Sequence, residues 1–268
     1  MTAEDRPSST LKTFQSRKLV AAVLAVIPAR WASTRFPGKP LHDLAGKPLV
    51  RHVWERCRLC TRLDRVVIAT DHDGIAQVAR DFGAEVCVTR PDHPSGTDRI
   101  AEVAALFPDH DVVINVQGDE PLVSPEVIDL LARTLADHPD IPMVTAAHPM
   151  SDDDPLLDDP NVVKTVLAGN GDALYFSRSR IPYPRTRAIP GLRPLRHKGI
   201  YGYRRDFLLR FVSWPPGLLE QAEGLEQLRA LEHGARIRVL LTDDDSPGVD
   251  TPDQARIVSA LIRESAPS

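Results

Sequence analysis

From Leu19 to Ile27 the chain reads LVAAVLAVI, a continuous apolar run, and then breaks into Arg30, Arg35, Gly38 and Lys39. The run predicts a strand buried on both faces, followed by a loop rich in cations. Pro48 opens a helix with Leu49, Val53, Trp54 and Cys57 at helical spacing, ending near Cys60. RVVIAT (65–70) predicts a second buried strand. Ile75, Val78, Ala79 and Phe82 mark a helix that Gly83 ends. AEVCV, GTDRIAEVAALF and DVVINV (111–116) continue as strand, helix and strand. Ser124 and Pro125 stand as cap and first residue of a helix running to about Ala136.

Past Met143 the rhythm changes. VVKTVL and ALYFSR (162–178) predict a hairpin turning between Gly169 and Gly171, and HKGIYGYR (197–204) predicts a further strand. One helix is expected over Leu218–Leu231, then the strand RIRVLLT and a last helix from Pro252 to Glu264. Regular alternation of strand and helix implies an α/β fold: a Rossmann-like, mostly parallel sheet with a β-rich insertion. Residues 1–17 are polar and predict a disordered extension. The expected single domain, 18–268, divides into a first half (18–150), an insertion (151–215) and a C-terminal return (216–268).

Composition narrows the function classes. A net charge of −4 argues against a general nucleic-acid-binding surface, so any anion must be caught locally. Cys57, Cys60 and Cys87 are too few for a disulfide framework and suit a reducing, cytoplasmic setting. Cys57 and Cys60 form C-x-x-C late in a helix, whereas redox pairs sit at helix N-termini, so a structural role is expected. Arg17 and Lys18 before the first apolar run imitate a signal peptide, but Glu4, Asp5 and the want of a cleavage site speak against one. No other apolar run approaches the length of a membrane span.

In parallel sheets ligands bind beyond the carboxyl ends of the strands. Three polar segments leave from those ends: the opening loop, ATDHD and NVQGDEP. The opening loop can wrap a phosphate, with Arg30 as a fork and Lys39 as a compact charge. It matches neither the P-loop nor the dinucleotide fingerprint, and on spacing alone a solvated basic loop is an equal reading. Asp119, just past a central strand, is placed to ligate Mg²⁺ or, equally simply, to close a turn. Asp250 lies just before a helix and can be a cap or a second metal ligand.

PARWASTRFPGK matches an opening pattern L/P-A-R-x-x-S-x-R-x-x-x-K, and the chain thereby resembles the sugar nucleotidyltransferases. ATDHDGIA, EVCVTRPDHPSGTDRIAE, VINVQGDEP, ALYFSRSRIPY, RHKGIYGYR, LEQLRALEHG and GVDTPDQ narrow the resemblance to the 3-deoxy-manno-octulosonate (Kdo) cytidylyltransferases, from about residue 22 to 264. That resemblance implies transfer of CMP from CTP to the anomeric hydroxyl of Kdo for lipopolysaccharide assembly. It implies that Arg30 and Lys39 grip the triphosphate and that Asp119 and Asp250 hold Mg²⁺, two ions in all. It places Ala29, Thr70, Asp71, Ser95, Gly96 and Thr97 in the nucleotide pocket. It assigns the acid sugar to Gln117, Arg178, His197, Tyr201, Glu226 and Gln227, and it implies a homodimer that enters no membrane.

Two segments depart from the pattern: TDDDSPGVD is unusually acidic before Asp250, and HPMSDDDPLLDDPN keeps only its last residues. The alternatives are a cytidylyltransferase for another acid sugar, such as sialic acid or 8-amino-Kdo, or a non-catalytic nucleotide-binding regulator.

Overall fold

The computed structural model describes residues 21–31, 36–185, 189 and 191–265. The expected extension 1–17, Leu19, Val20 and Arg35 lie outside them. In chain order the elements are β1 (Val23–Pro28), β2 (Asp43–Leu44), β3 (Lys47–Pro48), α1 (Leu49–Arg58), β4 (Arg65–Thr70), α2 (Asp73–Asp81), β5 (Glu85–Val88) and α3 (Gly96–Leu106). There follow β6 (Val112–Asn115), α4 (Pro125–Asp137), β7 (Met143–Pro149), β8 (Lys164–Leu167), β9 (Ala173–Ser177) and β10 (Leu195–Arg204). The chain closes with α5 (Arg205–Phe211), α6 (Leu218–Glu223), α7 (Gln227–Glu232), β11 (Ile237–Leu241) and α8 (Pro252–Glu264).

One sheet carries the fold, in the order β11-β7-β10-β6-β1-β4-β5, with β8 paired to β10 and β9 to β8. The pairs β1–β4, β1–β6, β4–β5 and β7–β11 are parallel, while β10 runs antiparallel to both β6 and β7. The apolar run at the start is therefore a central strand. Val23, Ala25 and Ile27 of β1 pack on one side with Leu49, Val53, Leu131 and Val258, from α1, α4 and α8. Leu24 and Val26 pack on the other with Ile100, Val103, Phe211 and Leu228, from α3, α5 and α7. Alternate side chains of a strand point to opposite faces, so a strand between two helical layers must be apolar throughout.

Helix starts follow the sequence signals. Ser95 caps α3 by accepting from the Thr97 and Asp98 amides, and Ser124 caps α4 with Pro125 as its first residue. Thr251 and Gln254 form a reciprocal capping box at α8.

Three expectations are corrected. The single helix over Leu218–Leu231 is two short helices, because Gly224 adopts a left-handed φ of 62° that ends α6. β7 and α5 form where the sequence reading assigned nothing. Thr145 and His148 break the apolar run of β7, and α5 is a single short amphipathic stretch directly after β10, so neither has a long signature of its own.

The cysteines are free thiols; Cys57 is buried, and burial drives its pKa well up and that of Cys60 to about 12. Such thiols stay protonated and unreactive, as their late-helix position implies. No helix among the described residues is long and apolar enough to cross a membrane.

Candidate active site

A cleft of about 700 Å³ opens at the carboxyl ends of β1 and β6, between the loops that leave them and the α6–α7 turn. Its lining brings together ten of the predicted residues: Arg30, Lys39, Gly96, Thr97, Gln117, Asp119, Tyr201, Glu226, Gln227 and Asp250.

The opening loop is folded by its own residues. The Gly38 amide donates to the Trp31 carbonyl at 3.2 Å, closing the loop on itself. The Trp31 ring stacks on His72, 4.3 Å between centroids and 9° from parallel. Gly38 has a φ of 70°, and a Cβ there would lie 3.1 Å from that indole, so both backbone and space call for glycine. Lys39 begins the short 3-10 turn that follows.

The second loop is set by close approach. A Cβ on Gly118 would stand 2.5 Å from the Pro28 carbonyl oxygen, so only glycine lets the QGD turn pack against the end of β1. Asp119 follows directly. The third loop is tied to the second through the backbone, since the Val249 amide donates to the Asp119 carbonyl at 2.8 Å. The next residue is Asp250, whose own amide is held by the Gln254 side chain of α8 at 2.7 Å.

These ties bring residues from three distant segments to one point. Lys39 Nζ lies 2.7 Å from Asp119 Oδ2 and 3.1 Å from Asp250 Oδ1. The carboxylates are partly open to the cleft, at 33% and 51% side-chain exposure, and the ammonium between them is 15% exposed. Two hard oxygen donors on one cation, facing a cavity, suit Mg²⁺, which takes one or two carboxylates and completes its shell with water and phosphate. Among the described residues no group of three or more His, Cys, Asp or Glu side chains is placed to hold a metal ion.

Positive charge also comes from Arg30, which lines the cleft, and from the N-terminus of α3, where Gly96 and Thr97 line it. Gln227, in the same lining, is 4% exposed, and its Nε2 is a buried donor without a hydrogen-bond partner among the described residues. Tyr201 also lines the cleft, its phenol held protonated by burial, and Glu226 adds a carboxylate.

Glu120 was not anticipated from the sequence. Its carboxyl is pushed up to about 7, chiefly by burial, with Lys198 as the strongest opposing charge, and its Oε2 is buried without a partner. The available signal was the pair of consecutive acids in QGDEP, of which Glu120 is the second.

The other six predicted residues stand off the lining. Ala29 is buried and extends β1, its amide donating to the Ala69 carbonyl at 2.8 Å. Thr70 is buried at the end of β4, and Asp71 pairs with the fully buried Arg99 at 3.2 Å. Ser95 is occupied in capping α3. Arg178 is spent on backbone carbonyls of Glu223, Pro160 and Gly224, and so fixes the α6–α7 turn.

His197 packs between Phe176 and Tyr201, its Nε2 2.9 Å from Thr145 Oγ1. Burial, with Lys198 adding to it, lowers its pKa to about 3, so this ring is neutral at physiological pH. Thr145 Oγ1 also donates to the carbonyls of Lys198 and Ile200, where the β10 register shifts. One hydroxyl proton cannot serve every partner, so His197 Nε2 carries the hydrogen toward Thr145 and Nδ1 is left as an acceptor.

The sequence matches the cytidylyltransferase family across residues 24–237. It is 50% identical over 254 residues to the 3-deoxy-manno-octulosonate cytidylyltransferase of Pseudomonas syringae pv. tomato, covering 91% of this chain and 99% of that one. The enzyme of the same name from Solibacter usitatus is 48% identical over 243 residues, 91% of this chain and 95% of its own. The chain belongs to the 3-deoxy-manno-octulosonate cytidylyltransferases.

A solved CMP:2-keto-3-deoxy-manno-octonic acid synthetase complexed with CTP superposes with a TM-score of 0.87 at 42% identity, covering 92% of this chain and all of that one. A 4-diphosphocytidyl-2C-methyl-D-erythritol synthase from Anaerococcus prevotii has the same fold at a TM-score of 0.61 and 10% identity. The α/β nucleotidyltransferase fold expected for this family is therefore the fold the chain adopts.

Proposed function

We propose that the protein transfers CMP from CTP to the anomeric hydroxyl of Kdo, releasing pyrophosphate. The convergence of Lys39, Asp119 and Asp250 at the mouth of one cleft carries the reading, in a chain about half identical to cytidylyltransferases of that name. Reaction at the α-phosphorus asks the protein for positioning and charge neutralisation more than for a nucleophilic side chain.

The lining residues divide that work. Arg30, Lys39 and the α3 N-terminus meet the triphosphate. Gln117, Tyr201, Glu226 and Gln227 hold the acid sugar by hydrogen bonds. The unpartnered Gln227 Nε2 supports this, since a buried donor left unpaired costs about 1–3 kcal/mol until a ligand satisfies it. His197 and Arg178 act from behind the lining, the first on Tyr201 and the second on the turn that presents Glu226. Ala29, Thr70, Asp71 and Ser95 belong to this reading as the frame of the nucleotide side.

When bound, Mg²⁺ supplies charge neutralisation for the leaving pyrophosphate and acidity for the attacking hydroxyl. Asp119 and Asp250 are the side chains that would hold it. A second ion, a cytoplasmic homodimer and a role in lipopolysaccharide assembly complete the reading.

The test is product formation with CTP, Mg²⁺ and a panel of acid sugars. Stoichiometric CMP-Kdo and pyrophosphate are expected. Turnover of sialic acid but not Kdo, or CTP binding without turnover of any acid sugar, would refute the assignment.

A further inference from the structure

Residues 242–250 deliver Asp250 to the site, yet they contain no helix or strand. The segment carries Asp243, Asp244 and Asp245 and ends at Asp250, so its charges repel one another and Asp119. Something must hold it in place.

The restraint comes from β10. Arg196 and Lys198 are two residues apart in the strand and so project from one face. Arg196 pairs with Asp245. Lys198 Nζ donates to Ser246 O at 2.9 Å and to Ser246 Oγ at 3.1 Å, and lies 3.8 Å from Asp244 Oδ2. Unlike the surface pairs of this protein, this one is enclosed: the Lys198 and Asp244 side chains are 4% and 8% exposed. Asp244 also accepts from the Ser246 amide at 2.9 Å and from the Ser124 amide, at the cap of α4, at 3.3 Å. Three residues beyond Ser246, the Val249 amide meets the Asp119 carbonyl, and Asp250 follows. The chain of contacts thus runs from β10 through Asp244 and Ser246 to the cation site.

We propose that Lys198, through Asp244 and Ser246, is a positioning residue that clamps the 242–250 loop to β10 and so sets Asp250 beside Asp119. The acidic approach to Asp250, which departs from the family pattern, is then the counterpart of a lysine on the strand that also carries His197 and Tyr201. The inference rests on the proposed CMP transfer for its functional meaning, but the clamp itself can be read without turnover.

The experiment uses the full chain and the variants K198M, D244N and K198R. Hydrogen exchange of the ligand-free proteins should show faster exchange across residues 240–251 in K198M and D244N, with β6 and β7 as protected as in the wild type. Mn²⁺ binding in the presence of CTP, followed by electron paramagnetic resonance, should weaken by about 10–100-fold, as for other residues that orient metal ligands, with K198R recovering most of the loss. In turnover assays the half-saturating Mg²⁺ concentration should rise while kcat at saturating metal stays near wild type.

Unchanged exchange and Mn²⁺ affinity in both K198M and D244N would overturn the clamp. So would protection lost evenly over β6 and β7, which would make Lys198 a general core residue. A wild-type protein that binds CTP but makes no CMP-Kdo would instead overturn the proposed function, with the exchange result still reporting on the clamp.

Discussion

Two lysines of this protein each hold a cluster of acids, and the difference between them separates the site from its scaffold. Lys39 stands at the mouth of the cleft between Asp119 and Asp250, both partly open to solvent. Lys198 stands behind it, enclosed, with its ammonium on a carbonyl, a hydroxyl and the buried Asp244. The front cluster can exchange partners with an incoming triphosphate and cation, because water and ligand reach it. The rear cluster cannot, because removing one buried partner strands the charge of the other. In the proposed reading, charged groups of the same kind take part in the reaction at one place and hold the loop at another.

The largest effect is expected at the front. Asp119→Ala and Asp250→Ala should each lower kcat by about 100–1,000-fold, the range for removing one preorganised electrostatic contact to the reacting group, with melting temperatures near wild type. A large drop in melting temperature would move these acids from the site to the scaffold.

Gly118→Ala tests the join between the two. Its Cβ would stand 2.5 Å from the Pro28 carbonyl oxygen, so the turn must shift. A loss of about 1–3 kcal/mol of stability is expected, together with reduced turnover through displaced Asp119. Unaltered kinetics would show that the QGD turn tolerates movement.

The rear region should answer to pH. His197 has a native pKa of about 3, below the usual 6.5, so the unfolded chain takes up the proton first as pH falls. Its stabilising contribution is complete above about pH 6.5 and is lost from there down toward pH 3, by at most about 1.4 kcal/mol per unit for this one group. His197→Gln should make the acid limb of stability against pH shallower; an unchanged limb would remove His197 from the account. The smallest effect is expected at the exposed Arg256–Asp253 pair of α8, where Arg256→Ala should change stability by less than about 0.5 kcal/mol.

What the sequence revealed follows the same division. β4 forms at the predicted residues because its apolar run is continuous, and α8 does so while α3 and α4 end within about a residue or two of theirs, because each of these helices has a capping signal of its own. The front residues were legible because the ends of parallel strands are where ligands bind, and because the opening, QGDEP and GVDTP segments resemble a known set. Spacing alone left Asp119 and Asp250 open between metal ligands and turn or cap residues, since nothing local says that the Val249 amide reaches the Asp119 carbonyl. Lys198 and Asp244 were not legible, because a lysine in a strand and an acid in a loop look solvated until the fold buries them together. Glu120 was hidden for the same reason, and Gly224 by a helical pattern that continues on both sides of it.

In the proposed reaction Asp119 and Asp250 hold a single cation between them. Mn²⁺ titration with CTP, followed by electron paramagnetic resonance, tests this directly on the wild type, Asp119→Asn, Asp250→Asn and the double variant. Each single change is expected to weaken the same binding event, and the double variant to lose little more than the worse single one. Full Mn²⁺ affinity in Asp250→Asn, or independent additive losses from the two changes, would contradict it.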